Sequence, residues 1–202
     1  MSSVDQVWSN LIDAIGNNNP RPPILTIKEP PYRGKPSSAE YNPKKKEIII
    51  DQTILEICHS FGLDSLNTLS YILAHELAHH YRGHGWMAYS SMNFSENVDS
   101  LKHSFLQREQ DESEADLYAG LFAHIAGYDA LSVATDFLEK VYIEYDLDEN
   151  LKGYPSLEER KNMIEQNQTN FKKLQKIFDT GNILISAGYY THAQEIFEHI
   201  LN

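Results

Sequence analysis

The chain contains a single cysteine, Cys58, and few basic residues relative to its acids. One cysteine cannot form an internal disulfide, which excludes the class of small secreted proteins held together by disulfides. The 17 Lys and Arg residues are outnumbered by 29 Asp and Glu residues, giving a net charge of −12 at pH 7. Nucleic acids and anionic membrane surfaces are bound through basic patches, so we expect no nucleic acid among the partners. The basic run Lys44–Lys46 is interpreted as a solvated turn between two strands.

Long apolar stretches are also lacking. No segment approaches the ~20 apolar residues that a membrane-spanning helix requires. Residues 1–16 are interrupted by polar side chains and lack the basic start that is typical of a secretory signal peptide. Together with the lone cysteine, these absences predict a cytoplasmic protein without a membrane span.

The composition that remains is typical of a globular protein, with 41% hydrophobic and 11% aromatic residues in 202. The pattern predicts an α+β fold that is mostly helical, with a small N-terminal sheet. Predicted strands lie at 24–27, 39–42 and 47–50, the last two forming a hairpin-like pair. Apolar residues at helical spacing predict helices at about 4–15, 52–61, 65–82, 105–126 and 131–145, and from Ser156 onward. Asp129 is the predicted N-cap of the helix that ends near residue 145.

Residues 75–79 read His-Glu-Leu-Ala-His and lie in a predicted amphipathic helix, for which Gly83 and Gly85 offer a stop. Residues four apart on a helix lie one above the other, so the imidazoles of His75 and His79 point the same way. Two neutral imidazoles on one face form half of a tetrahedral zinc site. Glu76 lies beside that face, where it could act as a general base toward water. Because this short pattern also arises by chance, the interpretation depends on a third ligand.

The third ligand is predicted on a second helix, in the acidic run of residues 107–116. Glu109, Glu112 and Glu114 compete for this role. A zinc-bound histidine commonly donates its other N–H to a carboxylate. Only Glu112 is followed one helical turn later by an acid, Asp116, on the same face. We therefore predict Glu112 as the ligand and Asp116 as the group that orients one zinc histidine, with Glu109 as the alternative ligand.

The alternative interpretation of this acidic run is a solvated helix face. Against it, small residues continue the side of the helix that carries Glu112 and Asp116, namely Ala115, Ala119 and Ala123. Small side chains permit two helices to approach closely. The pairing of both helices therefore favours a metal site over a solvated surface.

The segments His75–His79 and Glu112–Asp116 together resemble the gluzincin signature H-E-x-x-H plus E-x-x-A-D. More narrowly, the chain is similar to the HtpX and CAAX-prenyl-protease family of zinc endopeptidases. Further stretches extend this resemblance over residues 20–165, namely 39–42 with 47–50, 126–129, and 154–156 with Arg160. The resemblance implies a zincin-like peptidase domain that acts on a protein or peptide substrate. It also implies Zn²⁺ bound by His75, His79 and Glu112, and Glu76 as the catalytic base.

The chain departs from that family at one position that matters for catalysis. The family often has His-Pro where this chain has Tyr154-Pro155. A phenol can donate the hydrogen bond that stabilises an oxyanion, so Tyr154 is the predicted catalytic donor. The alternative is that Tyr154 is a packed aromatic residue, with His103 or Arg160 as the donor. Many family members are embedded in membranes, whereas no span is predicted here.

Two further histidines follow the motif. The metzincin pattern H-E-x-x-H-x-x-G-x-x-H is excluded, because it requires glycine where Arg82 stands and histidine where Gly85 stands. His84 comes one residue early and would face away from His75 on a continuing helix, so it is interpreted as a surface histidine or as a partner of a ligand. His80 is also predicted to point away from the metal face.

Residues 178–201 resemble one tetratricopeptide-type helical hairpin. A single repeat cannot bury its own faces, so this hairpin is expected to dock on the rest of the chain or to bind a protein partner. We therefore divide the chain into a metallopeptidase domain, 1–165, and a C-terminal helical hairpin, 166–202. Residues 86–105, between the two metal-bearing helices, are interpreted as a lid or a pocket wall, with a short structural helix as the alternative.

These observations predict a zinc-dependent endopeptidase, and two alternatives stay open. A regulatory peptidase of the ImmA/IrrE kind shares the zinc motif, but it would be favoured by a DNA-binding helix pair, which the sequence does not suggest. A non-catalytic binding module could carry structural zinc and recruit a partner through the C-terminal helices. Such a module has no need of Glu76, and the presence of that residue favours an enzyme.

Overall fold

The computed structural model describes residues 2–16, 21–29, 39–84, 98–146 and 156–201, of which 98–109 and 199–201 are described as backbone only. Within these ranges the helices and strands are α1 (Ser3–Ile15), β1 (Ile24–Lys28), β2 (Ala39–Asn42), β3 (Glu47–Asp51), α2 (Gln52–His59), α3 (Ser65–Arg82), α4 (Val98–Ile125), α5 (Ala134–Glu144), α6 (Leu157–Ser186) and α7 (Tyr190–Leu201). The predicted α+β class with a mostly helical chain is confirmed at this level.

The three described strands form one sheet in the order β1–β3–β2. β1 runs parallel to β3, and β2 runs antiparallel to it, which confirms the predicted hairpin pair. The turn between β2 and β3 is closed by the Asn42 side chain, which accepts hydrogen bonds from the backbone N–H groups of Lys44 and Lys45. Ile48, Ile49 and Ile50 of the central strand are all buried, and Ile48 and Ile50 belong to the hydrophobic core that the helices build.

Helix α3 is the centre of the fold. It packs against α1, α2, β2 and α4. Thr68–Ala78 is buried throughout, so this helix is covered on nearly all sides. Opposite it on α4, Ala115, Ala119 and Ala123 are fully buried, as expected for helices that approach closely. The helix ends where Gly83 adopts φ 72°, a left-handed conformation that favours glycine.

Two predicted helix starts differ from the structure. Helix α4 begins at Val98 rather than near residue 105. The residues between these points contain neither Gly nor Pro, so nothing in them interrupts helical geometry. The prediction that Asp129 caps the next helix is wrong, since α5 begins at Ala134 after a turn. Asp129 instead donates its backbone N–H to the side chain of Asn67, which ties this turn to the first part of α3.

The C-terminal part of the chain is a long helix followed by a shorter one. A capping box formed by Ser156 and Glu159 starts α6, as predicted. The predicted division between residues 165 and 166 falls inside this continuous helix. α7 packs back on α6 so closely that a Cβ atom at Gly181 would lie 2.5 Å from the Phe197 ring. Resemblance to a tetratricopeptide repeat and a protein partner for these helices stay predictions.

Two structural findings limit the possible functions. None of the described helices combines the length and the apolar character that crossing a bilayer requires. Cys58 is fully buried, and burial raises the pKa of its thiol to about 12. A thiol held in its neutral form is a poor nucleophile, so Cys58 is a core residue and not the centre of a cysteine-dependent reaction.

Candidate metal centre and its surroundings

The candidate metal-binding face of α3 is built by residues four apart. Tyr71, His75 and His79 lie one turn above another, so their rings lie along a single side of the helix. The ring centroids of His75 and His79 are 4.7 Å apart, and those of Tyr71 and His75 are 6.1 Å apart. His75 is buried with 6% of its surface exposed. The H-E-x-x-H segment therefore lies on a helix, as predicted, and its histidines face α4.

Three side chains converge at this face. The Nε2 atoms of His75 and His79 are 3.1 Å apart. The carboxylate of Glu112, on α4, lies 3.4 Å from the first and 3.6 Å from the second. One ligand atom from each residue falls within 4.8 Å of the others, so the group could hold a metal ion. The structure thus brings together the three residues that the sequence predicts as ligands.

Asp116 accepts hydrogen bonds from two residues of α3 on the far side of the His75 ring. Its fully buried carboxylate accepts a hydrogen bond from His75 Nδ1 at 2.8 Å. The same oxygen accepts from the Tyr71 hydroxyl at 2.7 Å. This is the orienting contact predicted for Asp116. The sequence analysis did not predict a role for Tyr71. Its position one helical turn before His75 indicates that both side chains lie on the same face.

Arg160, on α6, neutralises the two acids of the site. Its guanidinium donates to Glu112 at 2.8 Å and to Asp116 at 3.2 Å. Burial alone would raise the pKa of both carboxyl groups, but Arg160, followed by His75, holds both pKa values below their usual range. Both terminal nitrogens of Arg160 are therefore engaged by carboxylates. Arg160 fixes the positions of a predicted ligand and of the group that orients another.

The pKa values of His75 and His79 shift in opposite directions. Burial lowers the pKa of His75, but the hydrogen bonds and charges of Asp116 and Glu112 outweigh it and raise the pKa to about 10. Burial and the neighbouring His75 lower the pKa of His79 to about 3. These shifts favour the charged form of His75 and the neutral form of His79, whose Nε2 atoms lie 3.1 Å apart.

His84 lies behind His79. The chain turns at Gly83, so His84 folds back and lies buried with 8% exposure. Its Nδ1 is 3.1 Å from Nδ1 of His79, and its Nε2 is 3.1 Å from a carboxylate oxygen of Glu114. Of the two interpretations of His84, the surface histidine facing away is wrong, because it assumed that the helix continues beyond Arg82. The other interpretation, a partner of a predicted ligand, agrees with the contact between His84 and His79.

Glu76 follows His75 on α3, the helix that packs against β2 of the sheet. Its carboxyl group is buried, and burial raises its pKa to about 7. The backbone N–H of Tyr41, on β2, donates to it and opposes that shift. The charges of His75 and Glu112 also act on the pKa of this carboxyl group, His75 lowering it and Glu112 raising it. A carboxyl group of this kind can exchange a proton near neutral pH.

His80 holds the edge of the sheet against α3. Its Nε2 lies 3.1 Å from the carbonyl oxygen of Arg21 and therefore carries the hydrogen. Its Nδ1 then accepts from the Tyr41 hydroxyl at 2.8 Å. The prediction that His80 points away from the metal face is confirmed. Its role is to fix the strand beside Glu76.

Several predicted residues lie outside what the structure describes. Tyr154, the predicted oxyanion donor, falls between the described ranges. The same holds for residues 86–97 of the predicted lid, while 98–105 belong to α4. Glu109 and His103 lie on α4 where only the backbone is described. These four assignments stay predictions.

Comparisons with protein-family models, with curated proteins and with solved structures found no match to this chain. The site is therefore defined by its own geometry, in which two histidines of α3 and one glutamate of α4 form a buried group that could hold a metal ion.

Proposed function

We propose that this chain is a zinc-dependent endopeptidase. The observation that carries the proposal is the convergence of His75, His79 and Glu112 beside a buried acid, Glu76, that is not part of the cluster. Two imidazoles and one carboxylate leave a fourth position open, which is the arrangement of catalytic rather than structural zinc. A purely structural site has no use for the adjacent acid.

The donor atoms fit zinc. Zinc accepts histidine nitrogen and carboxylate oxygen in a tetrahedral arrangement. His75 Nδ1 and His79 Nδ1 are both occupied by hydrogen bonds on the far side of the rings, which directs both Nε2 atoms toward Glu112. Bound zinc supplies Lewis acidity, which polarises a carbonyl group and lowers the pKa of a water ligand toward ~7.

Glu76 carries the proton in the proposed reaction. It accepts a proton from the attacking water and returns it to the nitrogen of the leaving amine, so it is unchanged over one turnover. A backbone hydrogen bond from Tyr41, on β2, favours the charged form of this carboxyl group. Tyr154 would donate a hydrogen bond to the oxyanion, as the sequence predicts.

The strand β2 provides a place for the substrate backbone. Among the described strands it pairs with β3 alone, so within the described part of the chain its other side is an edge. An extended peptide can add to such an edge through main-chain hydrogen bonds. Because β2 packs against α3, which carries Glu76, a peptide held there would pass close to the proposed base. This favours an extended or unfolded protein segment as substrate.

We expect the zinc-loaded protein to cleave unfolded casein or members of an unstructured peptide library. Removal of zinc with 1,10-phenanthroline should stop cleavage, and added zinc should restore it, because the proposed reaction needs the Lewis acid. Fragment analysis by mass spectrometry provides the measurement. Cleavage that persists after verified removal of zinc would contradict the proposal, as would a zinc-loaded protein that cleaves neither substrate.

A further inference from the structure

His84 is part of a directional chain of hydrogen bonds that ends at the metal-binding face. Glu114 offers only acceptor atoms, so His84 Nε2, 3.1 Å away, carries the hydrogen of that contact. In neutral His84 the Nδ1 atom is then unprotonated and can only accept. The atom facing it at 3.1 Å is Nδ1 of His79, which must therefore donate.

This direction leaves Nε2 of His79 with a free lone pair, and that atom is the one aimed at Glu112 and His75. The reverse direction is unfavourable at both ends. It would set an unprotonated Nε2 of His84 against the Glu114 carboxylate, and it would put a proton on the His79 atom that faces the cluster. One tautomer of His79 is thus selected by residues that do not touch the cluster.

Glu114, at the outer end of these hydrogen bonds, is itself held in place. Arg82 donates to the second oxygen of Glu114 at 2.7 Å, and its guanidinium lies 4.8 Å from the centre of the Tyr118 ring. Asp111 adds a further carboxylate oxygen at 4.0 Å from His84 Nε2. Both carboxylates that face His84 therefore favour the same direction.

We propose that His84 is a positioning residue that fixes the metal-binding tautomer of His79 and so raises the affinity for zinc. The proposal rests on the proposed zinc site. It makes the two histidines unequal, because Asp116 contacts His75 directly whereas Glu114 acts on His79 through a second imidazole. Loss of such orienting contacts typically weakens metal binding about 10–100-fold.

The test is a set of zinc dissociation constants measured by competition with a chromophoric chelator. His84→Phe keeps a ring of similar volume but removes the acceptor, and we expect zinc affinity to fall about 10–100-fold. His84→Asn places a carbonyl oxygen near the position of Nδ1, and we expect affinity within about threefold of wild type, well short of that loss. His59→Phe, the same change at an exposed histidine on α2, should leave affinity unaltered.

Two outcomes would overturn the assignment of His84. One is a folded His84→Phe protein that binds zinc as tightly as wild type. The other is an equal loss in His84→Phe and His84→Asn, which would show that the ring matters only for packing. A wild-type protein that binds no zinc would instead overturn the proposed function itself, so the two failures are distinguishable.

Nitrogen-15 NMR of the wild-type zinc-loaded protein tests the same inference without a variant. Long-range correlations from ring hydrogens report which nitrogen of each histidine carries the proton. We expect His84 to be protonated at Nε2 alone and His79 to be protonated at Nδ1. A hydrogen on Nδ1 of His84 would remove the acceptor and overturn the proposal, whether or not His84→Phe folds.

Discussion

Glu76→Gln should abolish peptide hydrolysis while leaving zinc bound. The substitution removes the group that accepts and returns the proton but spares His75, His79 and Glu112. Loss of a general base typically lowers the rate about 10²–10⁴-fold, and we expect kcat to fall by at least about 10²-fold. Cleavage of the best peptide substrate gives kcat, and elemental analysis of the same sample gives the zinc content.

Glu56→Gln is the matched control, because Glu56 is an exposed acid on α2. It should retain wild-type kcat. Undiminished turnover in Glu76→Gln would remove Glu76 from the mechanism and leave a zinc site of another function. A Glu76→Gln protein that has lost its zinc would show instead that the carboxyl group supports the metal centre.

Glu112→Ala should lose zinc. The change removes one of three ligands and leaves Arg160 with Asp116 as its remaining acidic partner. We expect a larger loss of affinity than the about 10–100-fold expected for Asp116→Ala, which disturbs only the orientation of His75. Glu109→Ala, at the alternative ligand, should bind zinc normally. Loss of zinc in Glu109→Ala with binding intact in Glu112→Ala would contradict the assignment.

Thermal unfolding provides an independent measurement of zinc binding by the wild-type protein and by Glu112→Ala. Zinc at about 100 times its Kd stabilises a protein by about 2.7 kcal/mol if it binds only the folded state. For a chain of this size such a change corresponds to about 5–10 °C in Tm. We expect zinc to raise the Tm of the wild-type protein by this amount and to leave the Tm of Glu112→Ala unchanged.

The parts of the site that the sequence predicts are those fixed by local geometry. The spacing of His75 and His79 determines that both face one side of a helix. The spacing of Glu112 and Asp116 does the same on α4, and the structure places the two faces opposite each other. The capping box at Ser156 and the β2–β3 pair are also short-range features.

The parts that escaped prediction depend on contacts between distant segments or on how a helix ends. Arg160 reaches Glu112 and Asp116 from a helix more than 40 residues away, and no local pattern specifies that packing. The position of His84 follows from the turn at Gly83, since one left-handed residue redirects the chain toward His79. Asp129 is a residue type that is common at N-caps, but a turn separates it from the start of α5 at Ala134. The backbone N–H of Asp129 donates instead to the Asn67 side chain.

Titration of the metal-free protein with zinc, followed by peptide cleavage, tests the central claim most directly. One metal held by His75, His79 and Glu112 should make activity rise in proportion to added zinc and reach its plateau at about one equivalent. Glu76→Gln, titrated in parallel, should bind the same equivalent without gaining activity. Activity that does not depend on bound zinc, or that appears equally in Glu76→Gln, would contradict the account.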